Sequence, residues 1–377
     1  MMTTQSKTVL FFVFLTIISL RLLGNDSFRK EYTKEISKEF STDPSGEVNI
    51  FNKYGTVDIK SWNENRVKIE VKIIVNASKQ SEADDVFERI DINFNSRDDY
   101  VSAETVIASP KTSVFSWFWG SNSSADYKIH YLVHMPKTNA LRLETKYCDA
   151  TMDYLSGGAE LQMKYGDFDS EGFGGNVTMF LSYGKGKIMT LKNLDGELSY
   201  GRLVLPKCHD VTLQSKYSKV KISKGGDLAL DSKYDTYQLG DIREMQVVGR
   251  YSDYSINQID NIQFDGKYSD IKIFLLVNNG SFDSKYGNII ITNIEDGFGL
   301  IELEGKYTDF KIGTEMAKSF CVEAESEYGD ISVPPQLKVT EKVKEGNSQA
   351  VSAFLTSRTC SSRIFSVIKY GQLRIIH

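Results

Sequence analysis

The sequence predicts an all-β chain: a single-stranded β-solenoid (β-helix) of 17–21-residue coils behind a β-rich amino-terminal cap containing one helix. Three observations predict it. A tyrosine recurs at near-constant spacing, apolar residues flank it at spacing two, and a small residue usually follows it.

The tyrosines are Tyr54, Tyr147, Tyr165, Tyr183, Tyr200, Tyr217, Tyr234, Tyr251, Tyr268, Tyr286, Tyr307, Tyr328 and Tyr370. From Tyr147 onward the steps are 18, 18, 17, 17, 17, 17, 17, 18, 21, 21 and 42 residues. The last equals two steps of 21, which predicts a degenerate coil near residue 349. A fixed short period is the mark of a repeat architecture, and this one is too short for a pair of helices.

The flanks assign the secondary structure. Before the tyrosine stand pairs such as Val211 and Leu213, Met245 and Val247, or Ile262 and Phe264; after it stand Val220 and Ile222, Ile271 and Ile273, or Phe310 and Ile312. Alternation of this kind reads as strand. The inward parity switches across the tyrosine, so the chain bends there. Gly55, Gly166, Gly184, Gly201, Gly287, Gly329 and Gly371, or Ser218, Ser252 and Ser269, follow at the bend. Small residues there tolerate unusual backbone angles and close approach between coils. One coil has no core of its own, so each must bury its apolar side by stacking on the next, about 4.8 Å away. A dozen coils would make a rod of about 60 Å.

Ahead of the repeat, Val48, Ile50, Tyr54, Val57 and Ile59 already follow its pattern, and Val67 to Val75 alternate. Ala83, Val86 and Ile90 fall on one helical face within 81–90. Strands are expected near 90–94, 100–107 and 126–135. Residues 25–140 then read as a cap that covers the open end of the stack, and 141–377 as the repeats. Lys7, the apolar run Val9–Leu20 and the polar continuation from Arg21 read as a signal peptide over 1–24; the run is short for a membrane span. An uncleaved anchor is the alternative. Either places the mature chain outside the cytoplasm: periplasm, outer surface or secreted.

A net charge of -5 gives no electrostatic case for nucleic acid. The four cysteines lack metal-ligand spacing; Cys321 and Cys360 could pair in an oxidising compartment. His130 and His134 lie in one strand about 13 Å apart, too far to share an ion. No catalytic triad can be assembled, and no metal or cofactor is expected. Asp149, Asp167, Asp253, Asp270, Asp309 and Asp330 stand two residues after the tyrosine, in a row interrupted by Lys185, Arg202, Lys219, Thr236 and Asn288. One Asp per bend reads as a turn residue bonding its own backbone. Lys53, Lys146, Lys164, Lys216, Lys233, Arg250, Lys267, Lys285, Lys306 and Lys369 precede the tyrosine, with acids two residues earlier, as a self-compensating polar face. Parity places the tyrosines inward, as a structural ladder buried in or near a corner of the core; an outward row would be a carbohydrate platform. Phe115, Trp117, Phe118 and Trp119 break the hydrophilic pattern of their loop and are the candidate ligand contacts, for a glycan or another cell-surface component; a tucked hairpin is the bland alternative.

Several stretches carry a resemblance: Phe51 to Ile59 (FNKYGTVDI), Val133 to Lys137 (VHMPK), and the steps Lys164 to Phe168 (KYGDF) and Glu327 to Ile331 (EYGDI). Over nearly the whole mature chain the sequence resembles the bacterial β-strand-repeat domains of unknown function known as candidate adhesins, frequent in Bacteroidetes. That resemblance implies an envelope or secreted protein without catalytic residues. The function expected is an exported, non-catalytic binding or scaffold protein. The alternative is a polysaccharide-active β-helix enzyme, a lyase or hydrolase, using Asp253, Asp270 and a ladder lysine.

Overall fold

The computed structural model describes residues 29–109 and 126–377. The segment 1–24 and the loop carrying Phe115, Trp117, Phe118 and Trp119 lie outside the described residues. The described chain is all-β with one helix, Gln80–Phe87. No helix among these residues is long and apolar enough to cross a membrane.

Through the middle, the strands Arg202–Lys216, Lys219–Lys233, Thr236–Arg250, Asp253–Lys267 and Asp270–Lys285 pair in parallel, each with its successor. Residue i meets residue i+17 over most of this length, as in Val220 opposite Tyr237 and Tyr237 opposite Tyr254. The residues of each coil alternate between core and solvent as the apolar spacing predicts, so Val211, Leu228 and Met245 are buried in one column and Leu213, Leu230 and Val247 in the next.

Large and small residues compensate within that core. Tyr237 and Tyr254 stack at 5.2 Å. Their hydroxyls bond Ser215 Oγ and Ser232 Oγ, which satisfies the polar tips inside an apolar interior. Gly266 and Gly305 stand where the rings of Phe264 and Phe310 leave no room for a Cβ.

The amino-terminal strands break the parallel rule. Glu47–Trp62 is the first coil, parallel to Ala140–Met152. Lys30–Ser41 runs antiparallel to Arg66–Ala77, which runs antiparallel to Asp126–Pro136. Ile90–Arg97 and Tyr100–Ile107 form an antiparallel pair, and the helix lays Ala83 and Val86 into the core.

The carboxy-terminal end departs from expectation. The degenerate coil near residue 349 is absent: Lys338–Glu345 and Ser348–Leu355 form an antiparallel hairpin on Phe320–Glu327. The last coil slots between earlier ones: its strand Arg363–Lys369 lies parallel between Leu300–Lys306 and Phe320–Glu327, and the final strand Gln372–Ile376 between Asp309–Gly313 and Asp330–Ser332. The coil that ends the sequence is therefore not the coil that ends the stack. The outermost strand, KVTEKVKE, is exposed along its whole length, and its charges discourage strand addition at that edge. A disulfide joins Cys321 to Cys360 and ties this arrangement. Cys148 and Cys208 are buried thiols pushed up to about 11 and about 12 by burial, which leaves them unreactive.

Candidate functional site: an external tyrosine groove

The ladder tyrosines are not buried. All thirteen are 38–50% exposed, which corrects the inward placement expected from parity. The reason is backbone conformation. Every one has φ between 51° and 64°, the left-handed region. One residue in that region inverts the alternation, so Lys216 and Tyr217 both face out while Ser215 and Ser218 both face in. The unusual angle therefore sits on the tyrosine and not on the small residue after it.

That small residue answers the other demand, close approach. A Cβ on Gly166 would lie 1.9 Å from the Cys148 carbonyl oxygen, and one on Gly371 would lie 2.0 Å from that of Thr308. Where serine or aspartate occupies the position, its side chain repairs the ladder. The Tyr217 N–H donates to the Lys233 carbonyl and the Lys219 N–H to the Gly201 carbonyl, each at 3.0 Å, which leaves the Ser218 N–H without a backbone acceptor. It donates to Asp235 Oδ1 at 2.6 Å; Asp235 N–H donates to Ser252 Oγ, and Ser252 N–H to Ser269 Oγ, each at 3.1 Å. Burial raises the Asp235 carboxyl above its ordinary value, against the opposing pull of donors from Ser215, Ser218 and the Lys233 backbone.

The rings form one file. From Tyr54 through Tyr307, adjacent centroids are 4.7–5.3 Å apart with planes within 19° of parallel. Tyr370 then stacks on Tyr307, and Tyr328 stacks on Tyr370 at the far end. Tyr127 closes the near end edge-on against Tyr54 at 5.7 Å. Because the rings cover one another's faces, the file offers solvent its edges and phenol hydroxyls. A sugar cannot lie flat on it, so the carbohydrate-platform geometry is also corrected.

A left-handed residue other than glycine costs about 1–2 kcal/mol. Stacking returns about 0.5–1.5 kcal/mol per pair. The ammonium groups of Lys146, Lys164, Lys233, Lys267, Lys306 and Lys369 lie 5.1–5.9 Å from the centroids of the rings that follow them, adding about 0.5–1 kcal/mol each. The lysine row thus serves the rings more than the acids, although Lys369 also pairs with Glu327 at 2.8 Å and Arg250 with Asp265 at 3.3 Å.

On the other side of the file runs the row two residues on. Asp253, Asp270 and Asp309 line a shallow groove with Tyr268, Tyr286, Tyr307 and Tyr370. Three carboxylates of the row accept from the next strand and not from their own turn: Asp270 Oδ1 takes the Asn288 N–H at 2.8 Å, Asp309 Oδ1 the Gln372 N–H at 3.0 Å, and Asp167 Oδ1 the Lys185 N–H at 2.8 Å. No cluster of potential metal ligands occurs among the described residues. His130 and His134 do not converge: His130 Nδ1 lies 2.8 Å from Thr56 Oγ1, and His134 packs on Trp62.

No family model matches the chain, and no curated protein matches it. Solved structures do. A candidate cell adhesion protein from Clostridium sporogenes is 11% identical over 91% of this chain and 99% of its own, with a TM-score of 0.19. A candidate adhesin from Bacteroides fragilis is 11% identical over 91% and 97%, at 0.24. A candidate lipid-binding protein from Parabacteroides distasonis is 8% identical over the same shares, at 0.24. Likeness at this level bears no argument about function.

Proposed function

We propose that this protein is a non-catalytic binding rod of the extracytoplasmic space. In this reading it is a single-stranded β-solenoid over 141–377, capped by 25–140, and it holds an extended polymer such as a cell-surface glycan along the tyrosine groove. The observation that carries the reading is the repeated strain. Thirteen tyrosines keep a costly backbone angle that turns a phenol outward at every step, and strain retained at so many positions points to use. A surface with one chemical unit per coil suits a partner that also repeats. The Cys321–Cys360 disulfide agrees with an oxidising compartment.

A glycan array probed with the intact protein and with Tyr234→Ala/Tyr251→Ala/Tyr268→Ala tests it. Loss of the wild-type signals in the triple variant is expected; an unchanged pattern would remove the groove as the site. The polysaccharide-active reading has one observation in its favour, the shared groove of Asp253, Asp270 and Asp309. Release of reducing ends or of unsaturated uronate, abolished by Asp253→Asn/Asp270→Asn, would establish it instead.

A further inference from the structure

The row beside the tyrosines changes sign along the stack. Asp149 and Asp167 stand at one end, and Asp253, Asp270 and Asp309 toward the other. Between them Lys185 lies opposite Arg202, and Arg202 opposite Lys219. Two residues farther along the same strands, Lys187 and Lys221 flank Val204 in the same register. The basic row also crosses the file here, because Ser182 and Ser199 occupy the positions before Tyr183 and Tyr200 where other coils carry lysine.

Like charges directly opposite on paired strands repel. Among the described residues the one ion pair in the cluster joins Lys185 to Asp167 at 3.3 Å, at its edge. Among the described residues Arg202, Lys219 and Lys221 form no ion pair, and Lys187 forms none although Asp169 lies opposite it in register. A chain of net charge -5 thus concentrates five cations on three adjacent coils, where they raise its own energy.

We infer that this stretch is the anion-reading subsite of the groove, and that its ligand is an anionic polysaccharide. The inference deepens the binding-rod reading and rests on it. Lys185, Arg202 and Lys219 are spaced by the strand repeat, about 4.8 Å, so they meet a linear polyanion with charges on successive units better than a single ion. The hydroxyls of Tyr183, Tyr200 and Tyr217 border the row and suit a hydroxyl-rich partner. Single-stranded nucleic acid is disfavoured because it binds by stacking bases on open aromatic faces, and here the rings cover each other's faces.

The test uses the full chain on immobilised heparin (sulfate), polygalacturonate (carboxylate), a neutral β-glucan and single-stranded DNA, between about 50 and 200 mM salt. Wild type should bind one or both anionic glycans, and which one identifies the anion. Lys185→Gln/Arg202→Gln/Lys219→Gln should weaken that binding by roughly tenfold or more and lower the salt slope by about two to three. Lys272→Gln/Lys311→Gln, exposed two residues beyond Asp270 and Asp309 in the acidic stretch, should leave it within about twofold. All the substituted side chains are on the surface, and an unchanged melting temperature confirms intact folding. If the triple variant binds the polyanions as wild type does, or if neutral glucan binds best, the subsite is wrong while the groove stands. Tighter binding to DNA overturns the ligand class. Binding to nothing overturns both readings.

Discussion

The middle of the stack and its carboxy-terminal end are made of the same unit and assembled by different rules. From Arg202 to Lys285 each strand hydrogen-bonds the one before it in sequence, and the order in space is the order in the chain. After Lys306 the next strand in space is Arg363–Lys369, with Phe320–Glu327 beyond it and a hairpin outside. The unit is set by local physics, alternating burial and a left-handed tyrosine. The order of units is set by the need to close an edge. Inserting the last coil gives it partners on both sides and leaves a charged hairpin at the boundary.

Substitutions can separate these two rules. The largest effect is expected inside the regular stack: Phe282→Ala removes a fully buried ring that packs near Phe264 and should cost about 3–5 kcal/mol in chemical denaturation. Opening the disulfide with Cys321→Ser/Cys360→Ser should cost about 2–4 kcal/mol. That loss should be local, with hydrogen exchange rising over 300–377 and unchanged over 202–285. Exchange rising equally in both regions would dissolve the distinction.

The left-handed tyrosine is tested by Tyr234→Val against Tyr234→Gly. Both lose two stacking partners and must hold φ near 59°, but only valine carries a Cβ that this angle strains. Tyr234→Val should therefore melt lower, by a margin worth about 1–2 kcal/mol. Equal melting temperatures would mean that the angle carries no strain.

The smallest effect concerns pH. Asp235 in the folded protein titrates above its ordinary 3.8 because burial disfavours the carboxylate. Its favourable contribution is thus complete below that value and is lost as pH rises through the folded-state pKa. Against Asp235→Asn, wild type should lose relative stability as pH increases from about 4 toward 7. A melting-temperature difference that stays flat, or moves the other way, would show that the three donors outweigh burial.

Much of this was legible in the sequence. Spacing of two around each tyrosine gave the strands, and Ala83 with Val86 marked the helix, because burial imposes those periods directly. The facing of the tyrosines was not legible, since parity assumes a continuous strand and a single left-handed residue reverses it. Tyrosine seldom adopts that conformation, so nothing in its identity announced the turn. The 42-residue step between Tyr328 and Tyr370 equals two coils, so spacing alone favoured a hidden repeat over an insertion. Lys185, Arg202 and Lys219 were visible as gaps in an acidic row; only the register that stacks them shows a cluster.

Tyrosine nitration mapped by mass spectrometry on the folded protein tests the external file most directly. The account predicts modification along the file, at Tyr200, Tyr217, Tyr234, Tyr251 and Tyr268, with Tyr131, Tyr237 and Tyr254 protected until the protein is unfolded. Protection of the file to the same degree as those three core tyrosines would contradict it.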